Sequence, residues 1–389
     1  MPETEMKLGM QGIVLLDSFL GTILPQATLL RRSNLSKEDC RLVFVQGDDV
    51  TGRLACNSIQ ELTGLSGLLE KDVVWPHTLD RHVRGFEITR LPQDLVQMRR
   101  HLSYTRRLLN ELRIDPTSRG SVTSSLGAFH RAFAQSLPDW CYYKIDHGLG
   151  DITAGDSHNN QKPDTIVRAY RRVQGISKEP INLALEEASI RALLTDATTQ
   201  QWSKEFLQHM RFVGERQQLW PSHLMNLDAL ILLPVTRSEA AIHHYLDRCL
   251  TSVPQMKAKA WLGIKPHPAM QSRLAHRAID AIRTWRPGDG FRVVALPPSM
   301  PAEMYLHDGM TALRGPLSTS FAVSIAVYPS IDCVEIVPCA SDCQINSIGH
   351  TVSSSAYERH AQSAYDSASK NIHARLRDWG HDWAVISSS

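Results

Sequence analysis

Lys257-Ala-Lys-Ala-Trp-Leu-Gly-Ile-Lys-Pro-His-Pro268 is an apolar run that stops abruptly at a histidine held between two prolines. The run reads as a buried strand. Pro266 and Pro268 cannot continue a ladder, so His267 is delivered to a loop at the strand's carboxyl end. The pattern repeats on both sides. Upstream, Asp228-Ala-Leu-Ile-Leu-Leu-Pro-Val235 predicts a second buried strand, and Ser238 with Glu239 opens a helix running to about Cys249. Downstream come a helix from Met270 to Trp285, a strand from Phe291 to Leu296 stopped by Pro297-Pro298, and a helical turn over Met304 to His307. A short strand from Thr311 then leads into a helix starting near Ser318, and Cys333-Val-Glu-Ile-Val337 is one more strand. Strands alternating with helices predict an open, mostly parallel α/β sheet.

The first half carries the same alternation more faintly. Gly12 to Leu24 reads as a strand passing into a helix, and Arg41 to Val45 as a strand. Leu91 to Arg113 has helical spacing and is ended by Asp115-Pro116. Cys141-Tyr-Tyr-Lys-Ile145 predicts a strand with Asp146 at its end and a turn at Gly148 and Gly150. A polar loop over 151–163, a short basic helix over 166–175 and an amphipathic helical stretch over 186–210 follow. The expected domains are 1–215, 216–353 and a tail helix, 354–389, packing back on the first.

A chain of 389 residues is long enough for two cores. With 21% charged residues and a formal net charge of +2, it lacks the basic surplus of a dedicated nucleic-acid binder. No apolar stretch approaches the roughly 20 residues of a membrane span, and the acidic start lacks a secretory pattern. A cytoplasmic protein is expected. Seven scattered cysteines fit reduced, buried thiols, and Cys339-x3-Cys343 has no second pair at zinc-finger spacing. Walker A, GxSxG and HExxH motifs are missing, and Gly148-Leu-Gly150 is too short for a dinucleotide fingerprint.

Three short elements have chemistry of their own. His267, preceded by Lys265, can donate a hydrogen bond to a phosphate oxygen from a reproducible position. Ser318-Thr319-Ser320 follow Gly315-Pro316 and open an apolar helix, where free N–H groups and hydroxyls can hold a phosphate. Asp146 at a strand end can serve as a general base, and His147 is an alternative with a suitable intrinsic pKa. Each also has an ordinary reading: a surface histidine in a proline turn, an N-cap, a turn-capping aspartate.

In this order, Asp146-His147-Gly148, Lys265-Pro266-His267-Pro268 and Ser318-Thr319-Ser320 resemble the motifs of bacterial sialyltransferases and polysialyltransferases, as does Pro301-Ala-Glu303. The resemblance spans Asp146 to Ser320. It implies two Rossmann-like domains facing a central cleft (GT-B type) and inverting transfer of sialic acid, or a related nonulosonic acid, from a CMP-sugar donor. By the same resemblance, Asp146 or His147 is the base and His267 assists departure of the nucleotide phosphate. Ser318 and Thr319 hold that phosphate, while Gly148, Lys265, Pro268, Glu303 and Ser320 contribute to substrate binding. No metal or other cofactor is implied. The acceptor would be a glycan or glycolipid of a capsule or lipopolysaccharide, which would bring the enzyme to the inner membrane as a peripheral protein. The chain departs from the family at His147, where a second acid is expected. A transferase with a Kdo-type or polyol-phosphate donor, or a non-catalytic glycan- or nucleotide-binding protein, is the alternative.

Overall fold

The computed structural model describes residues 11–17, 40–45, 120–124, 141–145 and 181–185 of the first half, with scattered positions between them. From 188 it describes the chain to 386, apart from 219–223, 225, 235–238, 255–258, 268–271, 286–290, 299 and 340–354. The chain divides into two compact units, 1–147 with 154–189 and 148–153 with 190–389. The loop expected over 151–163 and the helix expected over 166–175 lie outside the described residues.

The first unit holds strands β1 (Gln11–Asp17), β2 (Cys40–Val45), β3 (Gly120–Ser124), β4 (Cys141–Ile145) and β5 (Ile181–Leu185). They form one parallel sheet in the order β2-β1-β3-β4-β5. β1, β2 and β4 fall where the sequence predicts them. The helix expected over 91–113 meets helical residues at Ser103, Arg106, Arg107, Leu109 and Asn110.

Helix α1 (Ala188–Thr195) crosses into the second unit at Ile190, and α2 (Ala197–Arg216) follows within it. The sequence predicts a mostly helical stretch over 186–210; in the structure it is divided at Asp196, whose carboxylate accepts from the amides of Thr198 and Thr199 (both 3.2 Å) as the N-cap of α2. Then follow β6 (Ala229–Leu232), α3 (Glu239–Thr251), β7 (Ala260–Lys265), α4 (Ser272–Thr284), β8 (Phe291–Ala295), a 3-10 turn (Ala302–Tyr305), β9 (Ala312–Gly315), α5 (Thr319–Val327), β10 (Asp332–Ile336), α6 (Ser355–Asp378) and β11 (Ala384–Ile386). The six strands are parallel in the order β11-β10-β9-β6-β7-β8. This is the Rossmann order: the chain winds outward from β6 through β7 and β8, then returns to lay β9 on the other side of β6.

Strand alternation decides which residue faces which layer. Ala229 and Ile231 of β6, Leu262 and Ile264 of β7 and Val334 and Ile336 of β10 join a core with α3 and α4. Ala275, Ala278, Ala281 and Ile282 place the small, tightly packing stripe of α4 on that core. The opposite face receives Glu335 and Cys333 of β10, with the Cys333 thiol against the Ser324 hydroxyl of α5. Phe321 of α5 stacks on Trp383 at 5.3 Å. Arg314 of β9 is fully buried; its guanidinium is held by the Ser252 carbonyl and the Asp332 carboxylate, so a full charge is satisfied inside the sheet.

Two boundaries differ from the expected 1–215, 216–353 and 354–389. α2 belongs to the second unit because its apolar face (Trp202, Phe206, Leu207, Met210) is buried there, Arg211 donates to the Leu306 carbonyl (2.9 Å) and Lys204 pairs with Asp308 (2.9 Å). The described part of the tail, which the sequence packs on the first domain, bonds to Glu335 of the second unit, because β10 presents that buried carboxylate toward it. No described helix is long and apolar enough to cross a membrane.

Candidate functional site

β7 ends at Lys265, whose carbonyl accepts the last ladder bond from Leu233 (2.9 Å), while Leu296 closes the other side on Ile264 (2.8 Å). Pro266 has no N–H to continue the ladder, so the chain leaves the sheet and His267 stands just beyond its carboxyl edge. Lys265 is buried. Its ammonium donates to the carbonyls of Pro298 (2.8 Å) and Pro266 (3.0 Å), tying the turn after β8 to the turn after β7. Burial pulls this lysine down to about 8, with Glu303 partly opposing the shift. Burial also pulls the His267 imidazole down to about 4, and the Lys265 charge acts in the same direction. His267 is therefore neutral near pH 7, with one ring nitrogen donating and the other accepting. An arriving phosphate would favour its protonated form by charge.

On the other side of β6, β9 runs to Gly315, where a Cβ would stand 2.6 Å from Leu232 Cβ. Glycine lets β9 approach β6 at its carboxyl end. Ser318 then caps α5, accepting from the Ser320 amide (3.3 Å). The three hydroxyls separate in role. Ser320 is buried and donates to Glu303 Oε1 at 2.7 Å; Ser318 lies 3.2 Å from the Ser320 hydroxyl and keeps exposed surface, as does Thr319. Glu303, itself buried, sits on the 3-10 turn that Pro301 initiates with φ −62°. Through Glu303, the Lys265 turn and the Ser318 turn share one electrostatic and hydrogen-bonded group.

The strand order accounts for this grouping. Lys265 is in register with Leu232 of β6, and Leu232 packs on Gly315. The His267 and Ser318 turns thus flank the end of β6, beside the point where the chain reverses direction in the sheet. Parallel α/β folds bind ligands at such points. Lys265, His267, Glu303, Ser318, Thr319 and Ser320 are all brought to this carboxyl edge of the second unit. Asp146, His147, Gly148 and Pro268 lie outside the described residues.

A second polar group was not anticipated from sequence. Glu335, fully buried in β10, accepts at Oε1 from Tyr365 (3.0 Å) and Ser369 (2.9 Å). At Oε2 it meets His373 (2.9 Å) and Trp383 (3.2 Å), and the other His373 nitrogen lies 2.6 Å from Asp382. The available signal was a glutamate among the apolar residues of Cys333-Val-Glu-Ile-Val337. Burial alone would raise the Glu335 carboxyl, but hydrogen bonds from His373, Trp383 and Ser369 outweigh it and hold it below the ordinary range. Burial alone would lower His373, but its bonds to Glu335 and Asp382 outweigh it and raise the imidazole.

The two shifts set a pH window. The glutamate's contribution is complete above its unfolded value of about 4.3 and is lost as pH falls through the depressed folded value. The histidine's is complete below about 6.5 and is lost as pH rises through the elevated one. The melting temperature of wild type minus that of His373→Gln is therefore expected to peak between about pH 4.5 and 6.5. Differential scanning fluorimetry across pH 3.5 to 9 measures it, and a flat difference would contradict the assignment.

No protein-family model matches the chain, and no curated protein matches it. Solved structures similar to it include a glycosyltransferase from Rickettsia africae (9% identity, 97% of this chain and 95% of that one, TM-score 0.36). A sialyltransferase from Photobacterium damsela is similar over 98% of this chain and 82% of its own, at 10% identity and TM-score 0.41. A UDP-GlcNAc 2-epimerase from Neisseria meningitidis, bound to UDP-GlcNAc, is similar over 95% and 93%, at 8% identity and TM-score 0.40.

Proposed function

We propose that this protein is an inverting glycosyltransferase of sialyltransferase type, moving sialic acid or a related nonulosonic acid from a CMP-sugar to a glycan acceptor. The observation that supports it most is the grouping of His267, Glu303, Ser318 and Thr319 around the end of β6, in motifs that resemble those of that enzyme class. In the proposed reaction the acceptor oxygen attacks the anomeric carbon as the bond from that carbon to the phosphate oxygen breaks. The electron pair leaves with the phosphate to give CMP, and the acceptor proton passes to Asp146 or His147. Attack on the face opposite the leaving group inverts the centre. Charge grows on the phosphate as the bond breaks, and His267, the Ser318 and Thr319 hydroxyls and the N-terminus of α5 would stabilise it where it develops. Lys265, two of whose ammonium hydrogens are engaged by carbonyls, would add positive charge beside the phosphate. The GT-B arrangement, with a cleft between the two units and the base opposite, belongs to this proposal, as do a lipid-linked acceptor and peripheral membrane association.

The test is a thermal-shift panel of CMP, UMP, GMP, ADP and CDP. CMP is expected to raise the melting temperature selectively, since a ligand at 100 times its Kd stabilises by about 2.7 kcal/mol. No shift with CMP, with one from another nucleotide, would move the donor to another class. No shift with any of them would favour a binding protein.

A further inference from the structure

We propose that Tyr365 is a positioning residue for the turn that would hold the donor phosphate, fixing it through its hydroxyl to the buried carboxylate of Glu335. This rests on the CMP-sugar reading above. Glu335 pairs in register with Gly315, the last ladder residue of β9. Beyond Gly315 the chain turns through Pro316 and Leu317 to the Ser318 cap. The Tyr365 oxygen meets it there: it accepts from the Leu317 amide at 2.6 Å while donating to Glu335 Oε1 at 3.0 Å. A side chain from α6 thus extends the ladder past the end of β9 by one more bond, to the amide immediately before the cap.

The direction of the two bonds matters. A buried carboxylate accepting the tyrosine proton makes the tyrosine oxygen a better acceptor for Leu317, since bonds in a chain polarise one another. Glu335 has no exposed surface, and Ser369, His373 and Trp383 hold its carboxylate from the other directions, so the anchor is rigid. With Leu317 held, rotation of the turn is restricted and the Ser318 and Thr319 hydroxyls keep their placement relative to His267. Tyr365 touches no reacting atom in this scheme; it acts through the turn.

Tyr365→Phe removes only the hydroxyl. Its control is Ser369→Ala, which deletes a bond to the same Glu335 oxygen but has no link to Leu317. Titration calorimetry with CMP and with cytidine, and amide hydrogen exchange over 317–320, are the readouts. Tyr365→Phe is expected to weaken CMP binding about 5- to 10-fold, as a lost hydrogen bond to an ordering group does. Cytidine, which lacks the phosphate, should be unaffected, and exchange at 317–320 should quicken. Ser369→Ala should leave CMP binding within about twofold. Unchanged CMP binding in Tyr365→Phe, or an equal loss in Ser369→Ala, would overturn the proposal. If wild type binds no CMP, the donor reading fails on its own, and exchange decides: quickened exchange in Tyr365→Phe alone supports the tie, unchanged exchange overturns it.

Discussion

His267→Ala is expected to lower transfer by about 100-fold or more, the scale on which one preorganised donor to a developing oxyanion acts. The loss should fall on kcat rather than on KM, because the charge that His267 meets is greatest in the transition state. Its neutral state sharpens the prediction. With the imidazole pulled down to about 4, it is a neutral hydrogen-bond donor before the donor sugar arrives, and the arriving phosphate favours its protonated form, so donation and proton transfer are separable outcomes. His267→Asn keeps an N–H donor but cannot transfer a proton. Recovery of about tenfold over alanine would mean that donation suffices; no recovery would mean that a proton moves. Activity should also fall above about pH 8, where Lys265 loses its charge, and Lys265→Met should abolish that limb. Steady-state rates with a CMP-sugar across pH 5 to 9.5 read all of this. Full activity in His267→Ala would remove the residue from the reaction.

The second large effect belongs to the base. Loss of a general base removes about 100- to 10,000-fold, so one of Asp146→Asn and His147→Ala should fall in that range while the other stays within about tenfold. The pH profile identifies which. A carboxylate base gives an acid limb near about 4, and an imidazole base one near about 6.5. If both variants retain near-full activity, neither is the base and the scheme fails at the acceptor side. If both lose transfer yet still show the CMP thermal shift, the motif works as a unit on the acceptor alone.

How legible all this was depends on how local the signal is. Strands β6 to β10 could be read because apolar runs bounded by proline and glycine report a buried strand within a few residues. β3 (Gly120–Ser124) escaped: with one apolar side chain among small polar ones, it is a strand because β1 and β4 pair with it on both sides. β11 escaped for the same reason, three residues made a strand by pairing with β10. The Ser318 cap was legible, since capping is a local bond, but the inward commitment of Ser320 to Glu303 was not. Nor was the convergence of Tyr365, Ser369, His373 and Trp383 on Glu335, because a contact across dozens of residues leaves no periodic trace.

Short stretches of chain carry the local pieces: a strand ending in a histidine between prolines, a hydroxyl-rich helix start after Gly315-Pro316, and the Asp146-His147-Gly148 motif directly after Ile145. These follow from φ restriction, missing amides and capping, which act between near neighbours. Long-range packing places β6 between β7 and β9, so that the His267 and Ser318 turns stand on either side of one strand end, and it brings a tail helix to tie the second turn to Glu335. Strand order and buried polar contacts are set by packing between segments far apart in the chain, where matching surfaces and satisfied hydrogen bonds, not local preference, choose the partner.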